Sequence, residues 1–248
     1  MKYMGSKARI AKYIVPIIQK YIDDNNIECY YEPFVGGCNV IDKIKCKKRI
    51  GSDIHEKLIK FLQALSNGYQ PPYDISEEEY KRIHKNQSLY SDELVGYVGF
   101  QLSYGAKWFG GYRRDKVGKR NYAHEAYDNV MKQASKLKDI EFKCCDFRAV
   151  SNIKNCVIYC DIPYCGTTKY ATESFPYEEF YEWCRVLGQD NIILVSEYNM
   201  PEDFVCIWEM EHQCLIDSNK KSNNDKNKRI EKLFLFTKQN DWKMKGMV

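Results

Sequence analysis

Cys156-Val157-Ile158-Tyr159-Cys160-Asp161-Ile162-Pro163-Tyr164 runs from five apolar residues into an acid, an isoleucine, a proline and an aromatic ring. The apolar run reads as a buried strand, and the polar stretch Cys165-Gly166-Thr167-Thr168-Lys169 ends it. Open α/β sheets bind ligands outside the carboxyl ends of their strands, so Asp161 stands where a site would be. Pro163 lacks an N–H and biases Ile162 toward an extended backbone, which makes a rigid turn whose carbonyls can accept hydrogen bonds. A carboxylate, a carbonyl and a ring within four residues suit a flat substrate bearing an amine: the ring covers its face and the two oxygens take its two N–H bonds. The same residues also fit a plain strand end, with Asp161 capping a helix and Tyr164 filling the core, and the surroundings must decide.

Upstream, Cys29-Tyr30-Tyr31-Glu32-Pro33-Phe34 leads to Val35-Gly36-Gly37-Cys38-Asn39 and a short amphipathic stretch through Ile44, read as strand, glycine turn and helix. Paired glycines let a ligand lie against the main chain at a helix N-terminus. They do not form G-x-G-x-x-G, so a pyrophosphate cradle is not supported, and Glu32 suits a cationic or amino group instead. Arg49-Ile50-Gly51-Ser52 ends in Asp53 ahead of a helix carrying Leu58, Ile59, Leu62 and Leu65. An acid there, about 20 residues beyond the glycine turn, is placed to bond ribose hydroxyls, though it could also cap the helix. Ile140-Glu141-Phe142-Lys143-Cys144-Cys145 ends in Asp146-Phe147, an acid and a ring that could take a purine's amino group and face. Before all of these, Lys2-Tyr3-Met4-Gly5-Ser6-Lys7 precedes a helical pattern of Ile10, Tyr13, Ile14, Ile17, Ile18 and Tyr21, with Ser6 as its N-cap. Lys7 is poorly placed for the helix dipole, which leaves it for a ligand carboxylate or for solvent.

Downstream, Ile192-Ile193-Leu194-Val195 and the segments 204–208 and 232–236 complete a set of seven strands. Between the last two, residues 217–229 hold Lys220, Lys221, Lys226, Lys228 and Arg229 against Asp217 and Asp225, a local balance of +3.

The chain has 248 residues and a net charge of +4, room for one α/β domain with an insert and a mild bias toward polyanions. Eleven cysteines include no two C-x2-C knuckles, which argues against zinc, and the absence of a signal-like start points to reduced thiols in the cytoplasm. No apolar run approaches the ~20 residues of a membrane span. From Gly68 to about Lys138 the strand-helix rhythm lapses, with helical patterns around 76–90 and 123–138. The centre of this insert, 99–114, is rich in glycine and aromatic residues. Over 107–120, Lys107, Arg113, Arg114, Lys116, Lys119 and Arg120 stand against Asp115 alone, a balance of +5 that exceeds the whole chain's. Basic residues interleaved with rings are what a nucleic-acid surface uses.

The strand ends at Glu32/Gly36, Asp53, Asp146 and Asp161 are expected to converge on one edge of a single sheet. They describe a ligand with an amino-acid part, a ribose and a purine, and no required phosphate. S-adenosylmethionine fits that description better than NAD or ATP.

With these residues in place, the sequence resembles the Dam-type (D12 class, alpha-group) adenine-specific DNA N6-methyltransferases over nearly its whole length. The matching residues, in order, are Lys2-Tyr3-Met4-Gly5-Ser6-Lys7, Glu32-Pro33-Phe34-Val35-Gly36-Gly37, Asp53, Asp146-Phe147 and Asp161-Ile162-Pro163-Tyr164. The usual catalytic tetrapeptide has proline second; Ile162 stands there instead, a variant the family admits. The resemblance implies a Rossmann-like methyltransferase sheet, mostly parallel, seven-stranded and with a terminal antiparallel strand. Residues 1–67 and 139–248 would form the catalytic domain and 68–138 an inserted, mainly helical target-recognition domain.

The cofactor would be S-adenosyl-L-methionine, held by Tyr3, Met4, Gly5, Lys7, Glu32, Pro33, Phe34, Gly36, Gly37, Asp53, Ile54, Asp146, Phe147 and Asp161. Asp161, Ile162, Pro163 and Tyr164 would be catalytic. Lys107, Arg113, Arg114, Lys116, Lys119, Arg120, Lys220 and Lys221 would meet double-stranded DNA. No metal and no membrane are called for, and a restriction endonuclease partner is allowed but not required. Two alternatives keep the fold: an RNA-adenine methyltransferase, and a catalytically silent DNA-binding module. Related tetrapeptides also serve protein-glutamine methylation, against which the basic insert argues.

Overall fold

Strand β1, Cys29–Glu32, pairs in parallel with β2, Lys48–Asp53, and β2 pairs in parallel with β3, Ile140–Cys144. The computed structural model describes residues 1–115, 117–164, 175–213 and 228–237. The chain packs as two units, Met1–Ala149 and Val150–Val248.

In the first unit, helix α1, Ala11–Asp24, buries Ala11, Ile14, Ile18 and Ile22 along one stripe, as the three-and-four spacing requires. Ser6 does not cap α1; its hydroxyl accepts from the Ala8 N–H at 3.2 Å and caps a single 3-10 turn, Lys7–Arg9. Helix α2, Glu56–Ser66, buries Leu58, Ile59, Phe61, Leu62 and Leu65.

The helix expected after the glycine turn is absent, and only a 3-10 turn, Ile41–Lys43, forms there. Cys38 takes a left-handed φ of 58°. The carbonyls of Gly37 and Cys38 accept from Gln133 Nε2 at 3.2 and 3.0 Å, and the Cys38 carbonyl also accepts from Asp42 N at 3.4 Å.

The insert is helical: α3, Glu77–Lys85, α4, Asp92–Gln101, and α5, Tyr122–Ala134. Ser76 caps α3 by accepting from Glu79 N at 3.1 Å, and Asn121 caps α5 through Ala123 N and His124 N at 2.9 and 3.1 Å. Helix α3 stops at Lys85 rather than 90, where a separate 3-10 turn, Gln87–Leu89, follows. Helix α4 was not signalled by the sequence, because Gly96 and Gly99 each lower helix propensity by about 1 kcal/mol. Packing explains both glycines. A Cβ on Gly96 would lie 2.1 Å from the Lys57 carbonyl of α2, and one on Gly99 would lie 2.4 Å from the Trp108 ring.

In the second unit, β4, Cys156–Asp161, pairs in parallel with β5, Ile192–Glu197. Its first five residues are buried, as expected of a strand covered on both faces. Helix α6, Tyr177–Leu187, buries Phe180, Cys184 and Leu187. Strand β6, Phe204–Gln213, and β7, Lys228–Phe236, form an antiparallel pair, and β7 also runs antiparallel to β5. Both strands are longer than 204–208 and 232–236, so Lys228 and Arg229 belong to a strand and not to the basic loop. Exposed Glu209 and Glu211 alternate along the outer half of β6, which erased its apolar signal. Seven strands, mostly parallel with an antiparallel end, and flanking helices make the mixed α/β class that the sequence called for.

Among the described residues no helix is long and apolar enough to cross a membrane.

Candidate active site

The glycine turn of the first unit is held from three directions. Gly36 has φ of 45°, and a Cβ there would lie 2.8 Å from the Tyr3 ring; a Cβ on Gly37 would lie 2.9 Å from Tyr3 Cβ. Gly36 N donates to Asp53 Oδ2 at 3.3 Å, tying the turn to the end of β2. Gln133 of α5 holds the carbonyls beyond it, and its side-chain oxygen accepts from the Met1 amine. On the other side, Gln101 of α4 grips the Lys2 backbone twice, accepting from its N–H and donating to its carbonyl, both at 3.0 Å. Asn39 Nδ2 adds bonds to the Met1 carbonyl at 3.2 Å and Ser6 Oγ at 2.8 Å. The first seven residues are thereby laid across the glycine turn, with Gly5 exposed at φ 77° and Lys7 buried.

Asp53 stands at the end of β2 but does not cap α2. Its Oδ1 accepts from His55 N at 3.0 Å at the start of α2, where the cap itself is His55 Nδ1, accepting from Leu58 N at 3.3 Å. Burial pushes the Asp53 carboxyl up, and the backbone donors His55, Gly36 and Ile54 pull it back. Next to it Ile54 is 70% exposed, a large apolar side chain offered to solvent beside an acid. Glu32 is buried at the end of β1 and accepts from the Tyr30 hydroxyl at 2.6 Å.

Phe147 is buried and meets the half-buried Phe34 ring with centroids 5.7 Å apart. Asp146 accepts from Arg148 through its N–H, Nε and Nη2 at 2.9, 2.8 and 3.0 Å. The Arg148 guanidinium holds its carboxyl below the usual range. Any amine bound by Asp146 must therefore share it with Arg148.

In the second unit the tetrapeptide closes β4. Asp161 is half-buried, Ile162 is buried, Pro163 is exposed and Tyr164 is half-buried. The Tyr177 hydroxyl, from the first turn of α6, donates to the Pro163 carbonyl at 2.8 Å. The Tyr164 hydroxyl donates to Glu231 Oε2 at 2.6 Å, and the Tyr198 ring meets the Tyr164 ring edge-on at 4.5 Å. Burial, then the carboxylates of Asp161 and Glu231, push the Tyr164 phenol well up.

The basic insert is less uniformly positive than its sequence. Arg114 is paired with Glu77, which it holds down to about 2, and Arg120 is paired with Glu125 at 2.6 and 2.8 Å. Both acids come from outside the 107–120 window. Lys107 and Lys119 are exposed, and Asp115 accepts from the backbone of Val117, Lys119 and Arg120, fixing the loop. Arg113 packs on the Tyr122 ring at 3.8 Å, with Lys2 Nζ 5.8 Å from the same ring. Arg113 Nη1 and Lys2 Nζ are buried with no hydrogen-bond partner among the described residues. Lys116, Lys220 and Lys221 lie outside the described residues.

Gln101, Gln133, Tyr177 and Glu231 were not foreseen. Gln101 did carry a signal, as the one amide in the run Val98-Gly99-Phe100-Gln101-Leu102. The other three are polar residues on polar-looking segments, and only tertiary packing reveals their partners.

The family model of the D12 class N6 adenine-specific DNA methyltransferases matches residues 3–197. The Type II methyltransferase M.MjaIII of Methanocaldococcus jannaschii is 29% identical over 208 residues, 71% of this chain and 71% of the relative. A solved structure of a candidate methyltransferase from Thermoplasma acidophilum covers 52% of this chain and 56% of its own, at 9% identity and a TM-score of 0.26.

Proposed function

The chain belongs to the D12 class N6 adenine-specific DNA methyltransferases, with S-adenosyl-L-methionine as cofactor, and we propose that it methylates a flipped adenine at a specific site in duplex DNA through Asp161, Ile162, Pro163 and Tyr164. The observation that carries this reading is the holding of the tetrapeptide. Tyr177 donates to the Pro163 carbonyl at 2.8 Å, which supports the Ile162 carbonyl, beside the Asp161 carboxylate, as the second acceptor for the adenine amine.

Adenine N6 is a poor nucleophile because its lone pair is delocalised into the ring. When Asp161 and the Ile162 carbonyl accept hydrogen bonds from its two N–H groups, the nitrogen becomes more tetrahedral and its lone pair turns out of the ring plane. The cofactor supplies the methyl group on a sulfonium, an electrophile that needs no metal. Orientation of this kind can account for several of the ~7–11 kcal/mol available to well-placed reactants. The base must leave the duplex to meet Asp161, and the Tyr164 ring is the surface on which it stacks.

The residues of the first unit suit the cofactor. A turn where a Cβ would strike the Tyr3 ring admits main chain at close quarters, Asp53 suits ribose hydroxyls, and Phe34, Ile54 and Phe147 suit a purine. Buried Lys7 and Glu32 complement a ligand that carries both a carboxylate and an amine. The remaining assignments, to Met4, Gly5, Pro33, Asp146 and Asp161, rest on the motif positions.

We assign residues 68–138 to target recognition, with 1–67 and 139–248 as the catalytic part. Exposed Lys107 and Lys119 support contact with phosphates, and the nitrogens of Arg113 and Lys2 that have no hydrogen-bond partner among the described residues would be completed by an acceptor-rich ligand. The paired Arg114 and Arg120 are weaker candidates. Similarity to a Type II methyltransferase supports a restriction-modification setting in the cytoplasm, where DNA is the substrate.

Incubating the chain with tritiated S-adenosylmethionine and either duplex DNA or RNA, then digesting to nucleosides, tests the reading. Label in N6-methyladenine from DNA is the expected result. Label from RNA alone, or DNA binding with no label, would overturn it.

A further inference from the structure

Glu231 is an acid buried to 8% exposure in the middle of a strand, and burying a carboxylate is costly unless it is paired. It lies beyond the stretch 3–197 covered by the family model. Strand β7 brings it to the tetrapeptide: the register Leu233 opposite Ser196 and Lys232 opposite Glu197 carries Glu231 to the level of Tyr198. There the two flank the same side chain. Tyr198 meets the Tyr164 ring edge-on at 4.5 Å, and Glu231 Oε2 accepts from its hydroxyl at 2.6 Å.

We propose that Glu231 is a positioning residue that fixes the Tyr164 ring through its hydroxyl, so that the stacking surface for the target base is set before the base arrives. This inference rests on the functional reading above. A phenol ring turns about two side-chain bonds. One edge contact constrains the plane only in part, whereas a short hydrogen bond to a strand-borne carboxylate fixes the far end of the ring. Glu231 then acts on the base through Tyr164.

The test is a double-mutant cycle on the full chain, read as single-turnover methyl transfer into DNA adenine, with cofactor and DNA affinities measured alongside. E231A and Y164F should each slow transfer about tenfold, the scale of one lost charge-assisted hydrogen bond. The double variant should be no slower than either single one. E231Q, whose amide oxygen can still accept from the phenol, should recover most of the rate and controls for folding. Affinities for DNA and cofactor should stay near wild type.

Additive losses in the double variant, a normal rate in E231A, or E231Q as slow as E231A would each overturn the assignment while leaving the methyltransferase reading intact. A wild-type chain that places no label in DNA adenine overturns that reading instead, and the assignment with it.

Discussion

The Tyr177 hydroxyl and the Pro163 carbonyl oxygen lie 2.8 Å apart, so a helix that begins 14 residues after the proline holds the turn that ends β4. That bond takes one lone pair of the Pro163 carbonyl, in keeping with the proposed use of the Ile162 carbonyl. Tyr177→Phe removes the donor and returns a competing acceptor to the turn. We expect kcat to fall about fivefold, the scale of one net hydrogen bond of ~1 kcal/mol, with KM for DNA unchanged. An unaltered kcat would show that the turn holds its shape without Tyr177.

Asp161 is the charged acceptor in the proposed mechanism. Asp161→Ala should lower kcat by about two orders of magnitude, as expected when a charge-assisted hydrogen bond of up to ~3 kcal/mol is lost. Asp161→Asn, which keeps one oxygen at the same place, should fall between the two. DNA affinity, set mainly by phosphate contacts, should be close to wild type in both. Steady-state kinetics and a filter-binding titration check this, and near-normal turnover in the alanine variant would remove Asp161 from the mechanism.

At Gly36 a methyl group has nowhere to go. The backbone sits at φ 45° and the Tyr3 ring would be 2.8 Å away. Gly36→Ala should cost about 1–3 kcal/mol of stability and weaken cofactor binding, because relief requires lifting the N-terminal segment from the turn. Calorimetric titration with S-adenosylmethionine and urea denaturation report the two effects separately.

His55 makes stability depend on pH near neutrality. Burial pushes its imidazole below the ordinary value of 6.5, and Lys57 works in the same direction. A base whose folded pKa is lowered stays neutral while the unfolded chain takes up a proton, so stability falls as pH drops through 6.5. The cap bond to Leu58 N needs the same neutral form. Denaturation midpoints between about pH 7.5 and 5.5 should therefore decline in the wild type and decline less in His55→Asn, which keeps a capping side chain without the titration.

Two cations of the insert should behave differently toward DNA. Lys119→Ala removes an exposed charge and should reduce the slope of log affinity against log salt by about 0.9, one phosphate's worth. Arg114→Ala removes a charge already shared with Glu77 and should change the slope less. Equal changes in both would mean that Glu77 releases Arg114 on binding.

The parts legible in the sequence were those that obey local rules. The run from Cys156 to Cys160 could be nothing but a buried strand, and the α1 stripe followed from its spacing. The acids at 53 and 161 were correctly placed at strand ends. What failed was whatever a neighbour decides. Helix α4 hid behind two glycines that exist because Lys57 and Trp108 press against them. The helix expected after Gly37 is interrupted at Cys38, where the backbone turns left-handed at φ 58°. The basic insert read as +5 because Glu77 and Glu125, which pair with Arg114 and Arg120, lie outside the 107–120 window. Glu231 fell just outside the strand expected at 232–236, and only the longer β7 sets it beside Tyr164.

The two glutamines that clamp the N-terminal segment, Gln101 and Gln133, sit on the helices that border the basic loop. Exchanging the whole of 68–138 for the corresponding stretch of a relative would remove both clamps and loosen the turn that suits the cofactor. Cutting after Gln101 and before Tyr122 leaves them in place. A chimera made at those points should acquire a new target sequence while keeping its grip on S-adenosylmethionine, which makes this loop the natural unit of exchange when the specificity of such enzymes is reprogrammed.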